Sequence, residues 1–163
     1  MLKIAKSGAM DWMLREGPGN YRIERRPLTP ETHACNLGCS RYRLEPGKKS
    51  CPAHYHYGND EAIYVLSGEL TLLFDGQPHT LTEGDYVTLP RGTGDAHQLE
   101  NRSLTPVEYL CFSTMEPADV IMYPNSGKIG VFGGGAPGGA ESEVSVRQWV
   151  KDDAIDYWAG EED

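Results

Sequence analysis

HYHYGNDEAIYVLSGELTLLFDGQPHTL, residues 54–81, is the stretch whose reading decides the fold. EAIYVL (61–66) and GELTLLF (68–74) are short apolar runs punctuated by Gly, Asn, Asp and Ser, without a 3.6-residue period. Asp75-Gly76 separates the second run from QPHTL. Both residues tolerate positive φ, so a tight antiparallel hairpin is expected at that point. In an extended strand, Glu61, Ile63 and Val65 share one face while Tyr64 and Leu66 share the other. The interior is thus expected to be largely apolar, with polar groups gathered at one end.

The same texture extends outward over residues 37–114. RYRL stands before Pro46-Gly47, DYVTL before Pro90 and AHQLE before Asn101-Arg102, and VEYLCFST closes the series. Regularly spaced short strands imply an all-β sandwich or barrel, in which closure removes exposed edges. Residues 1–36, with Pro18, Pro27, Pro30 and the basic Arg22–Arg26 patch, read as an irregular arm that covers an edge or reaches a second subunit. Residues 115–163 hold the Gly-rich YPNSGKIGVFGGGAPGG and a tail with Val144, Val146, Trp149, Val150, Tyr157 and Trp158. That much aromatic surface is expected to pack on the barrel or on a partner, whereas Glu161-Glu162-Asp163 should be solvated. A length of 163 residues with no internal repeat suits one domain over 1–163: arm 1–36, core 37–114, loop and tail 115–163.

With 15 Lys+Arg against 24 Asp+Glu, the net charge of -9 repels polyphosphates and anionic bilayers. Neither nucleic acid nor a membrane is an expected partner. No signal-like apolar run opens the chain and no 18-residue apolar stretch follows, so a soluble, cytoplasmic protein is expected. Cys35, Cys39, Cys51 and Cys111 form no CxxC pair and read as free thiols. The sequon Asn101-Arg102-Ser103 carries no weight outside a secreted protein. Gly133 to Gly138 matches GxGxxG, yet Pro137 and Gly139 oppose the helix that a dinucleotide fingerprint must open. A surface loop, or a flap over the barrel mouth with Lys128, is the better reading.

The chemistry lies in the histidines. Two residues apart on a strand, His54 and His56 point to one face and can converge on one ion. Glu61 opens the next run and adds a carboxylate if Tyr57-Gly58-Asn59-Asp60 turns, while His97 opens AHQLE and can reach the same space from a neighbouring strand. Three imidazoles and a carboxylate suit one divalent transition ion, Fe, Mn, Ni, Co, Zn or Cu, rather than Mg or Ca. Four protein ligands around an octahedral ion leave two positions for substrate. Cys51 should face away on a regular strand, which makes it a poor ligand; His33 and His79 read as surface or packing residues.

These residues resemble the cupin superfamily. Its first motif finds counterparts in Gly47, His54, His56, Glu61 and Gly68, with one extra residue between Gly47 and His54; its second finds them in Gly84, Pro90, Gly92, His97 and Asn101, with two extra residues before His97. The resemblance, over about Gly47 to Asn101, implies a double-stranded β-helix (jelly roll) with a metal at His54, His56, Glu61 and His97. It also implies an enzyme, with an isomerase of the sugar-phosphate type preferred, a cupin dioxygenase as the alternative, and a non-catalytic sugar- or metabolite-binding barrel as a third reading. Lys48, Lys49 and Arg91 flank the expected metal and suggest a small anionic substrate. Cupins often pair, so a homodimer is expected.

Overall fold

The computed structural model describes residues 2–32, 36–139, 144–151 and 159. Tyr157, Trp158, His33 and Cys35, together with the acidic C-terminus, lie outside them. Among the described residues thirteen strands dominate, with one short helix α1, Thr29–Thr32, and a 3-10 turn at Ser7–Ala9. In chain order the strands are β1 (Met13–Glu16), β2 (Arg22–Pro27), β3 (Gly38–Leu44), β4 (Tyr55–His56), β5 (Glu61–Ser67), β6 (Glu69–Phe74) and β7 (Gln77–Thr82). They continue with β8 (Tyr86–Leu89), β9 (His97–Glu100), β10 (Val107–Ser113), β11 (Asp119–Tyr123), β12 (Lys128–Gly133) and β13 (Val146–Lys151).

Three antiparallel sheets result, ordered β1-β2-β3-β10-β5-β8, β13-β12-β11-β4 and β7-β6-β9. The expected jelly-roll arrangement is present, as a sandwich whose sheets are not hydrogen-bonded into one closed ring. Asp75 (φ 47°) and Gly76 (φ 76°) form the β6–β7 hairpin with Phe74 opposite Gln77, as the Asp-Gly pair predicts. At the β5–β6 corner, Gly68 has φ 83°, and a Cβ there would stand 2.8 Å from the Pro106 carbonyl oxygen. Only glycine meets both conditions.

The arm is more regular than its prolines suggest. Met13–Glu16 and Arg22–Pro27 pair with each other, and β2 then pairs with β3, with Arg25 opposite Tyr42. The Gly-rich segment and the tail likewise supply β12 and β13, paired from Lys128↔Lys151 to Gly133↔Val146. Trp149 meets Phe132 edge to face at 5.9 Å, which packs this part of the tail on the sandwich. The core consists of Ile23, Leu44, Ile63, Val65, Leu70, Leu72, Leu89, Leu99, Val107 and Tyr109, all nearly solvent-free. Strand alternation explains the selection: Ile63 and Val65 are buried while Tyr64 between them is 39% exposed. The buried Asn101 amide donates to the Leu44 and Thr105 carbonyls, and its oxygen accepts from Ser103 N and Oγ. Its place in the second motif is therefore a loop clasp at the end of β9.

Candidate metal centre

Tertiary pairing gathers the four expected donors. His54 sits just before β4 and forms a backbone bridge with His97, the first residue of β9, through N–H···O bonds of 3.1 and 2.8 Å. Its neighbour His56 ends β4, pairs with Ile121 on β11 and accepts on its carbonyl from Gly92 N. Glu61, the first residue of β5, enters from the large sheet. One potential ligand atom from each of the four lies within 4.8 Å of those of the others. Bonds of about 2.0–2.2 Å place opposed ligands a little over 4 Å apart, so the cluster needs only slight contraction around an ion.

The hydrogen bonds aim these rings. Nδ1 of His56 donates to Asp119 Oδ2 at 2.5 Å, leaving Nε2 as the free lone-pair nitrogen. That Nε2 is buried, has no hydrogen-bond partner, and lies 3.6 Å from Glu61 Oε2. His54 Nδ1 donates to the Pro52 carbonyl at 2.9 Å, which again reserves Nε2 for the centre. His97 Nε2 is 3.2 Å from Glu61 Oε2. A buried nitrogen without a partner is costly, and a cation shared with two imidazoles and a carboxylate would satisfy it. The donor set therefore fits a transition ion held by His54, His56, Glu61 and His97.

Charge states support the arrangement. Burial alone would raise the Glu61 carboxyl, but the His97 hydrogen bond and the neighbouring imidazoles bring it down to about 2, so it is ionised at neutral pH. Burial lowers His97, outweighing the pull of Glu61, and keeps it neutral and able to ligate. At His54 burial is likewise opposed, here by the Cys51 sulfur, Glu61 and the Pro52 carbonyl, which together raise it to about 9. Asp119 sits below its usual range: burial is outweighed by bonds from His56, Asn59 Nδ2 (3.0 Å) and Gly58 N (2.8 Å).

A model of the cupin domain family matches residues 40–113, the span that carries all four donors. Residues 40–113 thus resemble a cupin domain. Among curated proteins it is similar to the quercetin 2,3-dioxygenase of Bacillus subtilis, 32% identical over 104 residues. That match takes in 61% of this chain and 31% of the enzyme, so the chain spans under a third of the relative's length. Among solved structures, a candidate sugar phosphate isomerase of Acidithiobacillus ferrooxidans is similar with a TM-score of 0.75 and 25% identity, covering 91% of this chain and 90% of that chain. A cupin-superfamily protein of Silicibacter pomeroyi, described as a sugar phosphate isomerase, superposes with a TM-score of 0.74 at 24% identity over 89% and 90% of the two chains.

Of the basic residues expected to greet a substrate, Lys49 and Arg91 are otherwise engaged. Lys49 is 3.7 Å from Glu100, at the far end of β9 from His97. Arg91 donates to the Gly58 carbonyl on the surface, and its amide to Asp60. Lys48 is half-buried and its carbonyl accepts from Asn101 N. His79 is exposed, and the described cysteines Cys39, Cys51 and Cys111 are free. Cys51 stays out of the donor cluster, yet its sulfur lies 3.7 Å from His54 Nδ1. Strand alternation does not govern that pair, because β4 begins only at Tyr55. Sequence reasoning also missed Asp119 and Tyr123, the latter stacked on His54 with centroids 5.8 Å apart. Both arrive through β11, which no local pattern ties to β4.

Proposed function

We propose that this chain is a metal-dependent enzyme acting on a small anionic molecule, by an isomerisation of the sugar-phosphate type. The orphaned His56 Nε2, buried and facing three further donors, carries the metal half of this reading. Similarity to the Acidithiobacillus protein along nine-tenths of both chains supports the reaction half. A divalent transition ion bound there would polarise a substrate oxygen and stabilise the negative charge that develops on it.

The remaining roles belong to the chain. Asp119 fixes the His56 tautomer from a fully buried position. Glu61, ionised, balances part of the cation's charge. Ile63, two residues after Glu61 on β5, and Ile121, paired with His56, are both buried. Among the described residues no helix is long and apolar enough to cross a membrane, and the acidic charge supports a protein that works in solution on small molecules.

Turnover of aldose and ketose phosphates by protein loaded separately with Mn, Fe, Co, Ni and Zn, assayed without oxygen, tests this. Interconversion under anaerobic conditions is expected, with Glu61→Gln losing it. Turnover that requires oxygen would overturn isomerisation in favour of the dioxygenase reading, which the similarity to the Bacillus enzyme supports. Ligand affinity without any turnover, retained in Glu61→Gln, would instead mark a binding protein.

A further inference from the structure

The inner face of the large sheet carries one cation that the metal centre does not use. Arg25 on β2 follows Ile23 on the buried side and stands opposite Tyr42, whose ring stacks on that of Tyr109 at 5.4 Å. Its guanidinium carbon is 5.9 Å from the Tyr42 ring centroid. Nε donates to the buried Ser40 hydroxyl at 3.0 Å, and Nη2 donates to the Gly138 carbonyl at 2.8 Å. These bonds occupy two of the five N–H donors a guanidinium offers. Every other arginine of β2 and β3 lies elsewhere: Arg22 pairs with Glu16, Arg43 with Glu24, Arg41 with Glu108, and Arg26 stacks over Trp12 with its guanidinium carbon 4.0 Å from the ring centroid. Among the described residues no carboxylate lies within ion-pair distance of Arg25. A half-buried, positioned guanidinium with spare donors and no counter-ion among the described residues is a place where an anion gains two or three charge-assisted bonds.

Its location connects it to the metal centre. Ser40, which holds Nε, pairs across the sheet with Cys111, and the Cys111 sulfur lies 4.0 Å from Glu61 Oε1. Arg25, Ser40, Cys111 and Glu61 therefore form a row along one sheet face. Arg25, Tyr42, Cys111, Glu61 and His54 all keep partial exposure. With the guanidinium drawn over β3 and the carboxylate on β5, two strand spacings separate them, roughly 10 Å. A carboxylate–metal bond and a metal–oxygen bond of about 2 Å each and a guanidinium–oxyanion contact of about 3 Å leave about 3 Å, the span of a chain of two or three carbons.

Resting on the metal-enzyme reading above, we propose that Arg25 binds the oxyanion end, phosphate or carboxylate, of a small substrate whose opposite oxygen faces His54, His56, Glu61 and His97. The Gly-rich loop closes over this end through the Gly138 carbonyl, and the rim cations Lys48, Lys49 and Arg91 play no part in it.

Calorimetric titration of manganese-loaded protein with dihydroxyacetone phosphate, acetoacetate and neutral dihydroxyacetone tests the assignment and tells phosphate from carboxylate. Wild type is expected to bind at least one anionic probe ten or more times tighter than the neutral one. Arg25→Gln should weaken that probe by about 10- to 100-fold, with Arg25→Lys between the two and manganese stoichiometry unchanged. Loss of preference only for the phosphate probe, or only for the carboxylate, names the headgroup. No anionic preference in wild type, or equal weakening of neutral and anionic probes in Arg25→Gln, would overturn the assignment, the latter reducing Arg25 to a fastener for the loop. The underlying reading fails separately. If stripping manganese leaves the anionic probe's affinity intact while Arg25→Gln still weakens it, the anion site stands and the metal's role in substrate binding does not.

Discussion

Around His56 a single hydrogen bond decides the tautomer. Asp119, 0% exposed, 2.5 Å from Nδ1 and itself only an acceptor when ionised, favours the proton on that nitrogen, which leaves Nε2 bare toward the other donors. Asp119→Asn keeps the shape but weakens this orientation, so metal affinity should fall by about 10- to 100-fold, as for other carboxylates behind a ligating imidazole. Competition titration with a chromophoric chelator measures it, and unchanged affinity would remove Asp119 from the site. His54 gives the centre its pH dependence. Raised to about 9 beside Cys51 and Glu61, it is protonated in the metal-free protein at neutral pH. Metal uptake must expel that proton, so affinity should rise with pH up to about 9. At pH 7.5, calorimetry in buffers of different ionisation enthalpy should register about one proton released per ion, and less in Cys51→Ala. For the metal-free fold the signs are opposite for the two groups. The raised His54 contributes stability below its unfolded value of 6.5, lost as pH climbs through about 9. The lowered Glu61 contributes above its unfolded value of 4.5, lost as pH falls through about 2.

Among the elements, those legible in the sequence are the ones that announce themselves locally. EAIYVL alternates, Asp75-Gly76 dictates its turn, and HxH with the following glutamate sits within eight residues, so β5, β6, β7 and three of the four donors follow from short-range patterns. Strands β1 and β13 were hidden because all their residues are exposed and show no apolar alternation. In the sequence Arg25 is one member of the basic Arg22–Arg26 patch. What distinguishes it from Arg26 is the side of β2 it takes, and that is fixed by the register with β3 rather than by anything near it in the chain. Asp119 is hidden for the same reason, since it reaches His56 across 63 positions through the β11–β4 pairing. Short-range chemistry thus reveals the ligands, while their support comes from long-range strand pairing.

For the molecule as a whole, the sandwich serves to bring two sheets and the His54–His97 bridge to one point between them. The large sheet contributes Glu61 and Arg25; the β11–β4 pair contributes His56 and its carboxylate support; β9 contributes His97. None of the four donors is meaningful apart from the others, because each alone is a polar group at the edge of an apolar core. The most direct test is therefore the number of transition ions held per chain, measured by elemental analysis after loading and desalting, in wild type and in the double substitution His54→Ala with His97→Ala. One ion per chain in wild type and close to none in the double variant, with the β-sheet circular dichroism retained, is the expected result. One ion per chain in both would show that the metal is held somewhere else.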